Sequence, residues 1–343
     1  MNQSIPVMNS KTLAMKVRNI YLSILLLISF VAYGQQQETG TVKLRGTKLT
    51  YPLIRKWIAE FSKEYPGIKV SIAQGAPADS IDFRIASYVL TEKDLGKDQH
   101  GVEVSRYVQL PVANIARPDL AELQVKGFTD KNLSDLFFNA KTPEFMESSS
   151  SPIPVTLYVR DRPVCAVKAF AHHFGNDPEA LKGTGIKGDD DDLAGAVRND
   201  INGLSFNNLG FIYDVKTRKI TEGLAVIPLD LNENGKVDGD EAIYATLDDV
   251  LNFIERTNHP KFVNEPVNFI FNKGSSNVNA GIFLDWVLSK GQEYQHDLGF
   301  VSVKQQVLSS ERAVANASFK TSAPSCESAD DLVRKRKLKH SNK

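Results

Sequence analysis

The chain has 343 residues, 42% of them hydrophobic and 24% charged, which excludes a fibrous or wholly disordered protein and makes two lobes the default for a chain of this length. Its 41 cations and 41 acids balance, but without Lys11, Lys16 and Arg18 the remainder carries −3, and without the six cations from Arg334 to Lys343 it carries −9. The expectation is therefore that any bound anion is held by local geometry and not by a basic field.

In chain order, the three N-terminal cations precede an apolar run from Ile20 to Gly34 that ends in Ala32-Tyr33-Gly34. This pattern predicts a secretory signal over residues 1–34, cleaved near Gly34, and a mature chain that is periplasmic or secreted with no membrane span after processing. An uncleaved anchor is the alternative reading. Next come a strand from Thr41 to Leu44 and a helix in which Leu53, Ile54, Trp57, Ile58 and Phe61 recur at helical spacing, with Pro52 in its first turn and Pro66-Gly67 as its stop. The segment IKVSIA then reads as a strand.

Further on, the pattern predicts a short strand from Ile81 to Ala86, a helix or turn from Thr91 to Leu95, the strand VQLPVANIA, a helix from Thr129 to Phe138, the strand PVTLYV and a helix from Val164 to Phe174. The periodic segments Asp190–Arg198, LGFIYD, LAVIPL, Thr246–Ile254, VNFIF and Ala280–Tyr294 complete the alternation. It argues for an α/β fold with largely parallel sheets. The run Asp189–Asp192 reads as a solvated helix start that favours the positive end of the dipole. Residues 323–343 read as a mobile basic tail; an exported chain seldom meets nucleic acid, so none is expected as a partner. Cys165 and Cys326 could pair after export, and Cys165 otherwise reads as a small buried hydrophobe. Cys165 and His172 lie two helical turns apart, roughly 10 Å, which is too far to share a zinc ion.

The stretch DLNENGKVDGDE, residues 230–241, matches the twelve-residue calcium loop. Asp230, Asn232 and Asn234 occupy positions one, three and five, and Lys236 offers its carbonyl at seven. Asp238 stands at nine and Glu241 is the bidentate twelfth, while Gly235 makes the tight turn. A solvated acidic turn is the other reading. Because LAVIPL precedes the loop and the next helix starts only at Thr246, with Asp249 as its capping partner, the ion would act as a structural staple, not as a sensor.

The opening GTKLTYPLIRKWIAEFSKEYPGIKVSI resembles the first lobe of the periplasmic phosphate-binding proteins that serve bacterial phosphate ABC transporters. DFRIASYVLTEKDL, VQLPVANIARPDL, GFTDKNLSDLFF and IFLDWVLSKGQEYQHDLGFVSV resemble further segments of that family in the same order. The resemblance implies a two-lobed periplasmic binding-protein fold of type II. Lobe one would be residues 40–112 with 266–322, and lobe two residues 113–265 carrying the calcium-type loop. It also implies a ligand cleft that closes by hinge motion. The implied function is capture of a small oxyanion, phosphate before others, for an ABC transporter permease. No supported catalytic constellation is present, so no enzyme activity is expected.

Candidate ligand residues are Thr47, Thr50, Tyr51, Ser87, Arg160 and Arg162. Thr47 and Thr50 stand just ahead of a helix, where hydroxyls and free N–H groups can bind an oxyanion, although Thr50 could simply cap that helix. Arg160 could equally sit in a surface ion pair. The chain departs from the family where Tyr88 follows Ser87, since a carboxylate usually stands there to accept a proton from phosphate. It departs again in Arg160–Ala166, where the family's serine and threonine hydroxyls are missing. A donors-only site has no reason to reject sulfate. These departures also leave room for a calcium-stabilised interaction protein that has lost anion binding.

Overall fold

The computed structural model describes residues 39–147 and 153–319. The predicted signal segment, the basic tail and Cys326 lie outside the described residues. Among the described residues no helix is long and apolar enough to cross a membrane.

Among the described residues nine strands form one sheet: β1 (Gly40–Gly46), β2 (Ile68–Ile72), β3 (Phe83–Ala86), β4 (Gln99–Asn114), β5 (Thr156–Arg160), β6 (Thr184–Ile186), β7 (Gly203–Asn208), β8 (Leu224–Val226) and β9 (Val263–Asn272). The helices are α1 (Tyr51–Glu64), α2 (Leu120–Lys126), α3 (Asp130–Asn139), α4 (Glu144–Glu147), α5 (Cys165–His173), α6 (Asp190–Arg198), α7 (Leu209–Ile212), α8 (Leu247–Thr257), α9 (Val278–Val287) and α10 (Gln305–Ser318). Strand order is β2-β1-β3-β9-β4-β7-β5-β6, with β8 also on β4. The parallel expectation holds for β1 with β2 and β3 and for β5 with β6 and β7, but β4 and β9 pair antiparallel with every neighbour. Both are crossing strands: β4 carries the chain out of the first half of the sheet and β9 brings it back, so they run against each other over ten residue pairs from Gln99↔Asn272 to Gln109↔Val263.

Among the described residues two large apolar cores hang on this sheet, with a small third cluster of Ala194, Val197 and Leu224. The first draws on β1 to β3, α1, the start of β4 up to Tyr107, the later part of β9 and the helices after it. The second begins at Val108 on β4 and runs through α3, α5, β7 and α8 to Val263. In α1 the predicted face is buried, with Leu53, Ile54, Trp57 and Phe61 fully enclosed, and the Trp57 indole N–H donates to Gly291 O at 2.7 Å. In α8 the helical period places Leu247, Val250, Leu251 and Ile254 inside, and Thr246 caps the helix by accepting from Asp249 N at 3.1 Å. LGFIYD is not a strand. The strand lies one segment earlier at β7, and Leu209–Ile212 turn as α7.

The helix α5 belongs to both cores. Ala166 and Ala169 pack into the first, while Val167, Phe170 and Ala171 pack into the second, where the Phe170 ring stacks on Phe206 at 3.6 Å between centroids. Alanines on one side let the helix approach the first core closely, and Gln109 Nε2 donates to Ala166 O at 3.2 Å.

Candidate functional site

The carboxyl ends of β1, β3, β5 and β6 open on one cavity of about 460 Å³ between the two cores. In α/β sheets, ligands bind outside the carboxyl ends of the strands, because the loops and helix starts that follow point their N–H groups there. One wall comes from Arg45 to Leu49 and from Arg84 to Tyr88. The other comes from Arg160 to Lys168 and from Gly188 to Asp190.

Of the six predicted ligand residues, Thr47, Arg160 and Arg162 reach the cavity. Thr50, Tyr51 and Ser87 stand behind the wall. The Thr50 hydroxyl is buried and donates to Thr47 O at 2.8 Å, so its side chain does not cap α1. Tyr51 Oη donates to Gly46 O at 3.0 Å, and Ser87 Oγ donates to Thr47 Oγ1 at 3.4 Å. These three fix the loop that presents Thr47. The side-chain oxygen of Thr47 caps no helical N–H, and neither does Val164 ahead of α5. The start of α5, whose Val164, Cys165 and Ala166 line the cavity, therefore has no side-chain cap on its first N–H groups.

Arg160 is not in a surface ion pair. It is 7% exposed, and its Nη2 donates to the carbonyl of Gly188. That carbonyl is aimed by a backbone φ of +115°, a conformation that favours glycine. The Nε and Nη1 of Arg160 are buried without a hydrogen-bond partner. Arg162 is exposed and lies 4.0 Å from the Asp161 carboxylate.

The reading of Asp189–Asp192 as a solvated helix start holds for Asp191 and Asp192, and Asp189 caps α6 by accepting from Asp191 N. Asp190 turns inward instead, 8% exposed, and lines the cavity beside Arg160. Burial pushes its carboxyl up to about 6, opposed by the positive charge of Arg160 and aided by Asp189. A carboxyl acceptor thus stands in the wall after all, supplied from the far lobe and not from position 88. Tyr88 keeps its hydroxyl on Asp94 at 2.8 Å, and burial pushes that phenol up to about 12. The Lys168 ammonium lies 5.1 Å from the Tyr88 ring centroid and ties the two walls together.

The expectation of a site without a basic field is corrected here. Arg45, Lys48, Arg84, Arg160, Arg162 and Lys168 all line the cavity, against Asp189 and Asp190. Whole-chain charge could not reveal this, because the acids are spread elsewhere over the surface. Arg45, Arg84, Lys168 and Asp190 were missed by sequence reasoning. The signal that could have found them is position, since each stands at a strand end or in the first turn of a helix facing the crevice.

In the loop at 230–241, Asp230 and Glu241 are buried at 1% and 4% exposure. Asp230 accepts from Asn234 N and Gly235 N, and Glu241 accepts from Leu231 N, Asn232 N and Asp238 N, all within 3.2 Å. Gly235 has the predicted tight-turn φ of +88°. Asp238 turns to the Lys236 ammonium at 2.7 Å and takes the amide N–H groups of Asn232 and Asn234; the lysine is the chief cause of its carboxyl falling to about 2. Among the described residues no three acidic, His or Cys side chains are grouped to hold a metal. Cys165 is a free thiol in the cleft wall, half-buried, and not the enclosed hydrophobe expected.

No family model matches the sequence, and no curated protein matches it. Solved structures do. A substrate-binding protein assigned to phosphate ABC transport from Clostridium perfringens, with bound phosphate, aligns at TM-score 0.58 and 15% identity, over 77% of this chain and 100% of its own. An ABC-type phosphate transport receptor from Vibrio cholerae aligns at TM-score 0.55 and 12% identity, over 76% and 100%. PstS from Borrelia burgdorferi aligns at TM-score 0.50 and 14% identity, over 78% and 100%. With the two cores, the crossing strands β4 and β9 and the cleft at the strand ends, these likenesses show that the chain has the α/β type II periplasmic binding-protein fold.

Proposed function

We propose that this chain is an exported solute-binding protein that captures a small oxyanion, phosphate before others, and presents it to an ABC transporter permease. The observation that carries the reading is Arg160, a buried guanidinium with two nitrogens, Nε and Nη1, unpartnered at a cleft wall. A buried donor without a partner costs on the order of 1–3 kcal/mol, more when charged, and an oxyanion supplies the missing acceptors. Thr47 and the uncapped start of α5 add neutral donors in the same cavity. Asp190 favours an anion that brings its own proton, because its carboxylate accepts a hydrogen bond from a protonated phosphate oxygen and repels sulfate, which has none to offer. The phosphate-linked proteins of similar fold support the same choice.

The test is a thermal-shift and calorimetric titration with phosphate and sulfate at one ionic strength. Phosphate should raise the melting temperature and sulfate should do so less. Arg160→Gln, which keeps one donor for Gly188 O, should weaken phosphate binding at least tenfold. Failure of phosphate to bind wild type at millimolar concentration would sink the proposal.

We also propose that calcium occupies residues 230–241 as a staple. The side-chain donors of Asp230, Asn232, Asn234, Asp238 and Glu241 and the Lys236 carbonyl are all oxygen, which suits calcium, provided that Asp238 exchanges its lysine for the ion.

A further inference from the structure

The oxyanion at Arg160 accounts for only part of the charge in the cleft. Arg45 on β1 and Arg84 on β3 are register partners on adjacent parallel strands, so their side chains leave the sheet on the same face about 5 Å apart. Like charges set directly across from one another destabilise a sheet. Among the described residues neither is ion-paired with a carboxylate. Arg45 Nη1 donates to Ala76 O at 2.5 Å and Arg84 Nη2 donates to Asp94 O at 2.7 Å, and both acceptors are neutral carbonyls. Both arginines are half-buried and line the same cavity as Arg160, from the opposite wall.

Size points the same way. A cavity of about 460 Å³ falls within the range of about 300–1,000 Å³ usual for organic ligands. Leu49, Pro163 and Val164 give it apolar lining as well, which a five-atom inorganic ion would leave unused.

We propose that the cleft takes an organic ligand with two anionic groups, one held by Arg160 and the α5 start, the other by the Arg45–Arg84 pair. This rests on the oxyanion reading of Arg160 and extends it from an inorganic ion to a bifunctional acid. Arg45 and Arg84 are then specificity residues: they add affinity only for ligands long enough to reach the second wall.

The experiment compares 3-phosphoglycerate, glycerol 3-phosphate and inorganic phosphate by calorimetry on the full mature chain at fixed pH and ionic strength. Wild type should bind 3-phosphoglycerate at least tenfold more tightly than glycerol 3-phosphate. Arg45→Gln with Arg84→Gln keeps hydrogen-bonding capacity for Ala76 and Asp94, and should weaken 3-phosphoglycerate at least tenfold more than it weakens glycerol 3-phosphate, so that the two bind alike. Circular dichroism checks that the double variant is folded; should it fail to fold, the single variant Arg84→Lys should show part of the same selective loss. If inorganic phosphate binds wild type as tightly as 3-phosphoglycerate or more so, the second subsite is overturned and the oxyanion reading stands. Equal weakening of all three probes in the variants also overturns it. Should none of the three bind wild type, the oxyanion reading falls and this proposal falls with it.

Discussion

Asp190 carries the clearest pH signature at the scale of one residue. Its folded carboxyl titrates near 6, above the ordinary carboxylate range, because burial penalises the charged form. The folded state therefore holds this proton more tightly than the unfolded chain. The associated stability is fully present below about pH 4, falls as pH rises through 6, and totals on the order of 3 kcal/mol. Asp190→Asn should remove that term: relative to wild type, its stability in urea unfolding should be unchanged near pH 4 and higher above pH 6. A constant offset across the range would show that Asp190 titrates normally. Nothing in the sequence distinguished Asp190 from its three acidic neighbours. All four suit the start of α6, and only the tertiary placement of that helix against the cleft decides which one loses water. Arg160 was legible by family resemblance, but its unpartnered N–H groups were not, since they depend on a carbonyl 28 residues away.

At the scale of elements, regular periodicity was read well where one face of a helix is apolar, as in α1 and α8. It was read poorly where a strand changes its surroundings. Only the second half of β4 was foreseen, because Val108 to Asn114 are buried throughout, whereas the stretch from Gln99 to Glu103 carries partly exposed residues around Val102 and bends at a register shift after Glu103. The loop at 230–241 was legible as a folded turn, since its sequence dictates the backbone wrap around Asp230 and Gly235. Whether an ion completes it is a question of two buried carboxylates that here lean on backbone N–H groups. Millimolar calcium should raise the melting temperature of wild type, and Asp230→Ala with Glu241→Ala should abolish the rise. Phosphate binding by that double variant should persist, because the loop contributes nothing to the cleft wall. An unchanged wild-type melting curve with calcium would retire the ion.

Across the whole molecule, zero formal charge conceals a cleft lined by six cations and two acids, on a chain whose other acids lie outside it. Within a Debye length of about 10 Å at 0.1 M salt the cleft cations dominate what an anion feels, and beyond it the acidic surface does. Anion affinity should therefore fall as sodium chloride is raised from 50 to 500 mM, read as the dissociation constant by calorimetry. Affinity that held or improved would show that the distant acids set the balance. The fold class was legible because alternating strands and helices leave few architectures; the antiparallel crossing strands were not, because pairing direction is a property of the returning chain and not of either segment.

That return also sets an order on synthesis. The second core draws almost wholly on the stretch from Val108 to Val263, with Val301 added, whereas the first needs Val42 to Tyr107 together with Ala166, Ala169 and residues from Val267 to Phe319. As the chain emerges from its N-terminus, α1 and the strands β1 to β3 come out first, yet their apolar faces lack β9, α9 and α10 until the last stretch follows. For most of its emergence the nascent protein holds Trp57, Phe61 and Phe83 without the partners that later enclose them. The lobe made first is thus completed last, and it is the segment a holding chaperone would have to shield.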